Sequence, residues 1–94
     1  MPKLKPSPQE ERNRIVRACI ASGQERQAIT DEFLAEHLAM SLATFRKRKA
    51  HPDAFTLAEL QILSKHLKFT PMQAASIVLG RDITSKEVKE FILA

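Results

Sequence analysis

The chain has no tryptophan and no tyrosine, two glycines and one cysteine among its 94 residues. Each scarcity excludes something. A single cysteine, Cys19, rules out an internal disulfide and a cysteine-based zinc site, and fits a reducing compartment. Aromatic residues make up 5% of the chain, all of them phenylalanine, so a core has to be assembled from Leu, Ile, Val and Ala. β-Rich domains of this size use more glycine in turns and more aromatics in strands, and the composition leans to helices. No apolar run approaches the ~20 residues of a membrane span. The segment from Met1 to Pro8, with lysines at 3 and 5, lacks the apolar centre of a signal peptide. These features predict a soluble, cytoplasmic protein.

Catalytic and metal chemistry find little to stand on. Gly23 and Gly80 are too far apart to build a Gly-rich phosphate loop. His37, His51 and His66 have no second ligand at helical or turn spacing, and no Ser/His/Asp or Cys/His signature appears in its usual local context. Cys19 reads as a small core residue, His37 and His66 as polar residues of helix surfaces. Neither an enzyme, a metal site nor a cofactor is expected.

What the chain does contain is apolar residues, 44% of the total, and a net charge of +4 with a pI near 9.6. The first allows one domain near the lower size limit for folding without metal or disulfides. The second permits a polyanionic partner. Residues 1–6, with two prolines and two lysines, read as a flexible basic arm, either a disordered end or a segment lying along phosphates through Lys3 and Lys5. Residues 7–94 read as a single helical domain.

Helix starts are marked by hydroxyl residues. Ser7-Pro8-Gln9-Glu10 sets a cap, a proline at the first helical position and Glu three residues on, the pattern of a capping box. Ile15, Val16, Cys19 and Ile20 then form one stripe, with Arg12, Arg14 and Arg17 at its edges, and Gly23 is the expected stop. A second helix starts at Thr30, with Asp31 and Glu32 placed for its positive end and Phe33, Leu34, Ala35 and Leu38 facing inwards. Ala39-Met40-Ser41 interrupts before a basic helix from Ser41. His51-Pro52-Asp53-Ala54 ends that helix, since Pro52 biases its predecessor away from helical angles. Boxes at Thr56-Glu59, Thr70-Gln73 and Thr84-Glu87 open three more helices. The first carries Leu57, Leu60, Leu63 (or Ser64) and Leu67 inwards, the second runs to Gly80, and the last carries Val88, Phe91 and Ile92 on one face. The fold class predicted is all-α, a compact domain of five to six helices.

The centre of the functional reading is Ser41-Leu42-Ala43-Thr44-Phe45-Arg46-Lys47-Arg48-Lys49-Ala50. At i, i+3, i+4, i+7 spacing, Ala43, Arg46, Lys47 and Ala50 share a face, with Phe45 pointing away. Two small residues flanking two long cations let a backbone approach a partner closely, as a helix in a DNA major groove requires.

From about Thr30 to Gly80 the chain resembles the lambda-repressor-like, Cro-type helix-turn-helix family, particularly small regulators of phages and mobile elements. The residues carrying the resemblance are Leu34-Ala35, Leu38, Met40-Ser41, Thr44-Phe45, Phe55-Thr56-Leu57, Leu60 and Leu67. It implies a helix-turn-helix at about 30–50 and a further C-terminal helix. Ala35 would sit at the helix crossing, Met40 would plug the turn, and Phe45 would anchor the recognition helix. Ser41, Leu42, Ala43, Arg46, Lys47 and Ala50 would face double-stranded DNA, with Thr44, Arg48 and Lys49 completing the binding set. Arg46 and Lys47 suit guanine edges or nearby phosphates, Leu42 and Ala43 thymine methyls, Arg48 and Lys49 phosphates. Two positions depart from the pattern. Ala39 stands where the family has Gly, and Arg48-Lys49 where it has a second apolar anchor. Either the stems of Arg48 and Lys49 cover the core edge while their charges reach solvent, or the helix ends early. A small transcriptional regulator, working as a homodimer through the last helix or the Ile77-Val78-Leu79 surface, is the expectation. The alternative is a protein-interaction module (antirepressor, adaptor or antitoxin) that reads no DNA.

Overall fold

Hydroxyl caps set the helix boundaries. Ser7, Thr30, Ser41, Thr56 and Thr70 each accept a hydrogen bond from the backbone N–H three residues on. Thr84 does the same for Glu87. Each such cap stabilises its helix by about 1 kcal/mol. A computed structural model describes residues 7–93, so the basic arm at 1–6 lies outside the described residues, as do the side chains of Val88, Phe91 and Ile92. In chain order come α1 (Pro8–Gln27), α2 (Asp31–His37), α3 (Leu42–Ala50), a 3-10 turn at Pro52–Ala54, α4 (Leu57–Leu67), α5 (Pro71–Leu79) and α6 (Ser85–Leu93). The described residues form no strand, and the fold is all-α as expected from composition. None of the described helices is long and apolar enough to cross a membrane.

The full two-way capping box forms at Thr56/Glu59 and Thr70/Gln73. The other two predicted boxes are half formed. At Thr84 the Glu87 carboxylate is taken by Arg81, 3.1 Å away. At Ser7 the hydroxyl accepts from the Glu10 N–H, with no return bond from the Glu10 side chain among the described residues.

The core gathers Val16 and Ile20 of α1, Leu34, Ala35 and Leu38 at α2, Phe45 of α3, Phe55, and Leu63 and Leu67 of α4. Cys19 and Ile15 are buried beside it. Three sequence expectations are corrected here. Gly23 does not end α1, which continues to Gln27 and closes on Ala28 at φ 52°. Gly23 is instead buried at a helix crossing, where an added Cβ would stand 2.7 Å from Leu67 Cβ; the missing side chain serves packing, not termination. Leu57 is 70% exposed, because as the first residue of α4 it stands beyond the layer that covers Leu60, Leu63 and Leu67. Phe33 is 39% exposed, because its ring lies on imidazoles at the α2 surface rather than in the core. Of the alternatives Leu63 and Ser64, Leu63 is the fully buried one.

Candidate functional site

α3 is held in place from four sides. Phe45 is 0% exposed and meets Phe55 at 6.3 Å between ring centres. Its N-terminus is fixed by Ser41, whose Oγ accepts from the Thr44 N–H (3.1 Å) and donates to Thr44 Oγ1 (2.8 Å). Its C-terminus is closed by Arg17, whose guanidinium donates to the Ala50 carbonyl at 3.0 Å. Behind that end, buried Asn13 exchanges hydrogen bonds with Asp53, 2.9 Å to the carboxylate and 3.1 Å from the Asp53 N–H, which pins the 3-10 turn to α1.

The connection from α2 runs Leu38-Ala39-Met40-Ser41. Ala39 takes the left-handed conformation at φ 55°, at a cost of order 1 kcal/mol to a residue other than glycine. The Met40 N–H then reaches the Ala35 carbonyl at 3.0 Å, and the Met40 side chain packs against the core.

Of the predicted set, Ser41, Ala43, Thr44, Arg46, Lys47 and Ala50 are exposed, whereas Leu42, Arg48 and Lys49 are half-buried. The face read from spacing, Ala43-Arg46-Lys47-Ala50, is therefore open along its length. The cations on it are not equivalent. Arg46 Nε lies 3.3 Å from Asp31 and its Nη2 3.8 Å from Glu32. Lys49 Nζ lies 2.9 Å from the same Asp31. Arg48 Nη1 reaches both oxygens of Glu59 at 2.6 and 2.8 Å, and that carboxylate also closes the capping box of α4 by accepting from the Thr56 N–H. Lys47 has no ion-pair partner among the described residues. Of the alternatives offered for Arg48-Lys49, the structure removes the early helix end and amends the other, since both side chains are half-buried. The helix does not end early, and the charges do not point to open solvent; each meets a carboxylate of a neighbouring helix.

Asp31 is the hub. Besides Arg46 and Lys49 it accepts from Gln24 Nε2 at 2.8 Å. Burial pulls its carboxyl upward, but the hydrogen bonds from Gln24, Lys49 and Arg46 outweigh that and hold it below the ordinary aspartate value. Capping chemistry, the role read from sequence, is only part of what this residue does. Asp31, Glu59, Gln24 and Arg17 were not among the predicted site residues. Their partners lie 7 to 33 positions away, and no local pattern announces them.

Two further surfaces bear on function. Ile77 packs against the core, but Val78 and Leu79 are 78% and 59% exposed. His37 and His66, read as isolated because they are far apart in sequence, are brought together, with ring centres 4.6 Å apart. Among the described residues no group of three or more His, Cys, Asp or Glu is arranged to hold a metal. No protein-family model, curated protein or solved structure matches the chain, so the case for a role rests on the geometry of α2 and α3.

Proposed function

We propose that the chain is a sequence-reading, double-stranded-DNA-binding protein of lambda-repressor-like helix-turn-helix type, a small transcriptional regulator that lays α3 in the major groove. The observation that carries the reading is the two-sidedness of α3. Phe45 fixes one side in the core, and the opposite side presents Ala43, Arg46, Lys47 and Ala50 to solvent. In the groove Arg46 and Lys47 would meet guanine edges or adjacent phosphates, and Ala43 and Leu42 thymine methyls. A dimer would place two such helices about 34 Å apart, and exposed Val78 and Leu79 supply apolar surface for one. The test is selection of bound sequences from a random duplex pool at ~150 mM salt, where binding through charge alone is already weakened. Enrichment of a short motif is the expected result, and retention of nothing would remove the reading.

One observation favours a second reading. Arg46, Arg48 and Lys49 are already paired within the chain, which lowers the net charge that α3 offers. That suits a protein-interaction module that keeps this arrangement and grips a protein through Leu42 and the small alanines. Salt separates the two. Phosphate binding weakens with a log–log slope near −0.9 per phosphate neutralised, whereas an apolar protein contact shows little slope.

A further inference from the structure

Away from α3, three aromatic side chains meet at the edge between α2 and α4. Phe33 stacks on His37 with ring centres 4.0 Å apart and planes 27° from parallel. It meets His66 edge-on at 5.4 Å, and the two imidazoles approach to 4.6 Å at 63°. His37 Nδ1 lies 2.8 Å from the Phe33 carbonyl oxygen. A carbonyl only accepts, so Nδ1 carries the proton and the neutral ring keeps its lone pair on Nε2. This is the tautomer-fixing contact that metal-binding histidines make with their second nitrogen. His66 has no hydrogen-bond partner among the described residues, so its nitrogens are uncommitted. Phe33 touches both rings and sets their spacing.

We propose that His37 and His66 form a two-imidazole site for a late first-row divalent ion of the Ni2+ or Cu2+ class, with water filling the other positions. The ring spacing suits that class. An imidazole bound at the ~2.0–2.1 Å typical of metal–nitrogen bonds puts its ring centre about 3.2 Å from the ion. With one nitrogen of each ring turned to a shared ion, two centres 4.6 Å apart would subtend about 90° there, the angle between neighbouring ligands in square-planar or octahedral coordination and not in a regular tetrahedron. Imidazole suits these ions, as it also suits zinc and iron, so the geometry and not the ligand type points to the class. The site joins α2 to α4 and does not depend on α3 meeting DNA.

The test is titration of the full chain with Ni2+, followed by calorimetry and by the ring signals of the three histidines. One ion per chain is expected, with the His37 and His66 signals broadened by the paramagnetic ion and His51 unaffected. His66→Phe keeps the aromatic contact and removes the nitrogen, and should weaken binding at least about tenfold. His66→Gln should do the same with a smaller side chain, which separates ligand loss from repacking. Bound Ni2+ should also raise the melting temperature of the wild type and not of either variant. Lack of saturable binding up to about 1 mM, equal response of His51, or wild-type affinity in His66→Phe would each overturn the site.

Discussion

The substitution Asp31→Asn perturbs the hub of α3 with the least change of shape. The asparagine amide keeps an oxygen for Gln24, which donates to the native carboxylate at 2.8 Å, and removes the charge that faces Lys49 and Arg46. Stability should fall and, on the proposed function, affinity for DNA should rise. The fold loses a carboxylate in the first turn of α2, where a negative charge contributes about 0.3–1 kcal/mol. It also loses two ion pairs at a solvent edge, each screened to about 0.2–1 kcal/mol. Together these amount to a destabilisation of about 0.7–3 kcal/mol, and each kcal/mol lowers the melting temperature of a domain this size by roughly 4–8 °C. The pH dependence has a defined sign. A carboxyl held below its ordinary value of 3.8 contributes stability that is fully present above that value and is lost as pH falls through the folded one. Wild type and variant should therefore differ at neutral pH and converge below 3.8.

DNA binding should move the other way. With Asp31 neutralised, Lys49 loses its carboxylate and Arg46 keeps only Glu32 at 3.8 Å, so both become more available to phosphates, affinity for random duplex rises and its log–log salt slope steepens by about 1–2, near 0.9 per added phosphate contact. The assay is fluorescence anisotropy of a random duplex across a salt series, with chemical denaturation run beside it. A less stable variant that binds DNA more tightly is the expected pair of outcomes. An unchanged slope would show that Arg46 and Lys49 do not reach phosphates, and unchanged stability would show that Asp31 does not tie α3 down.

Gly23→Ala should destabilise by about 1–3 kcal/mol, although alanine is the better helix former by about 1 kcal/mol, because the new Cβ would stand 2.7 Å from Leu67 Cβ; denaturant midpoints decide the sign. Ala39→Gly should raise stability by about 0.5–1 kcal/mol by relieving φ 55°, read in the same assay. Phe45→Ala should cost about 3–5 kcal/mol, comparable with the whole stability of a small domain, and circular dichroism should find the chain largely unfolded while Phe45→Leu stays folded. Arg46→Ala should weaken the selected DNA site more than random duplex, and equal losses on both would reduce Arg46 to a phosphate contact.

The helices were legible because their signals are local. A hydroxyl followed three residues later by Glu or Gln is a property of four consecutive residues, and Thr56 and Thr70 show that the sequence pattern and the bond coincide. Phe45 was legible for the same reason, as the single aromatic in a basic run. The failures at Gly23, Leu57 and Phe33 share one cause. Each required knowing which element lies opposite, and helical spacing reports a face without reporting what covers it. Scarcity of glycine also hid the ends of helices. Ala28, Ala39 and Lys68 take the left-handed turns at φ 52–55°, so the residue type that usually marks such positions was missing there. His37 and His66 meet through tertiary structure alone, from separate helices.

The ion pairs rank the cations of α3 on the proposed reading. Lys47, with no ion-pair partner among the described residues, can turn to a phosphate without breaking a bond. Arg46 can follow at small cost, since its side chain is 58% exposed and its pairs are already weakened by water. Lys49 is more confined, and its departure leaves Asp31 with one partner fewer. Arg48 is held most firmly. Both oxygens of Glu59 engage it, and the same carboxylate closes the first turn of α4. Pulling Arg48 to DNA would leave a half-buried charge short of a partner and loosen the neighbouring helix start, which costs more than an exposed phosphate contact returns. Arg48 therefore acts as the second anchor of α3, in the place where an apolar residue was expected. On the proposed function, a run of four cations thus divides into a reading face, Arg46 and Lys47, and a fastening face, Arg48 and Lys49.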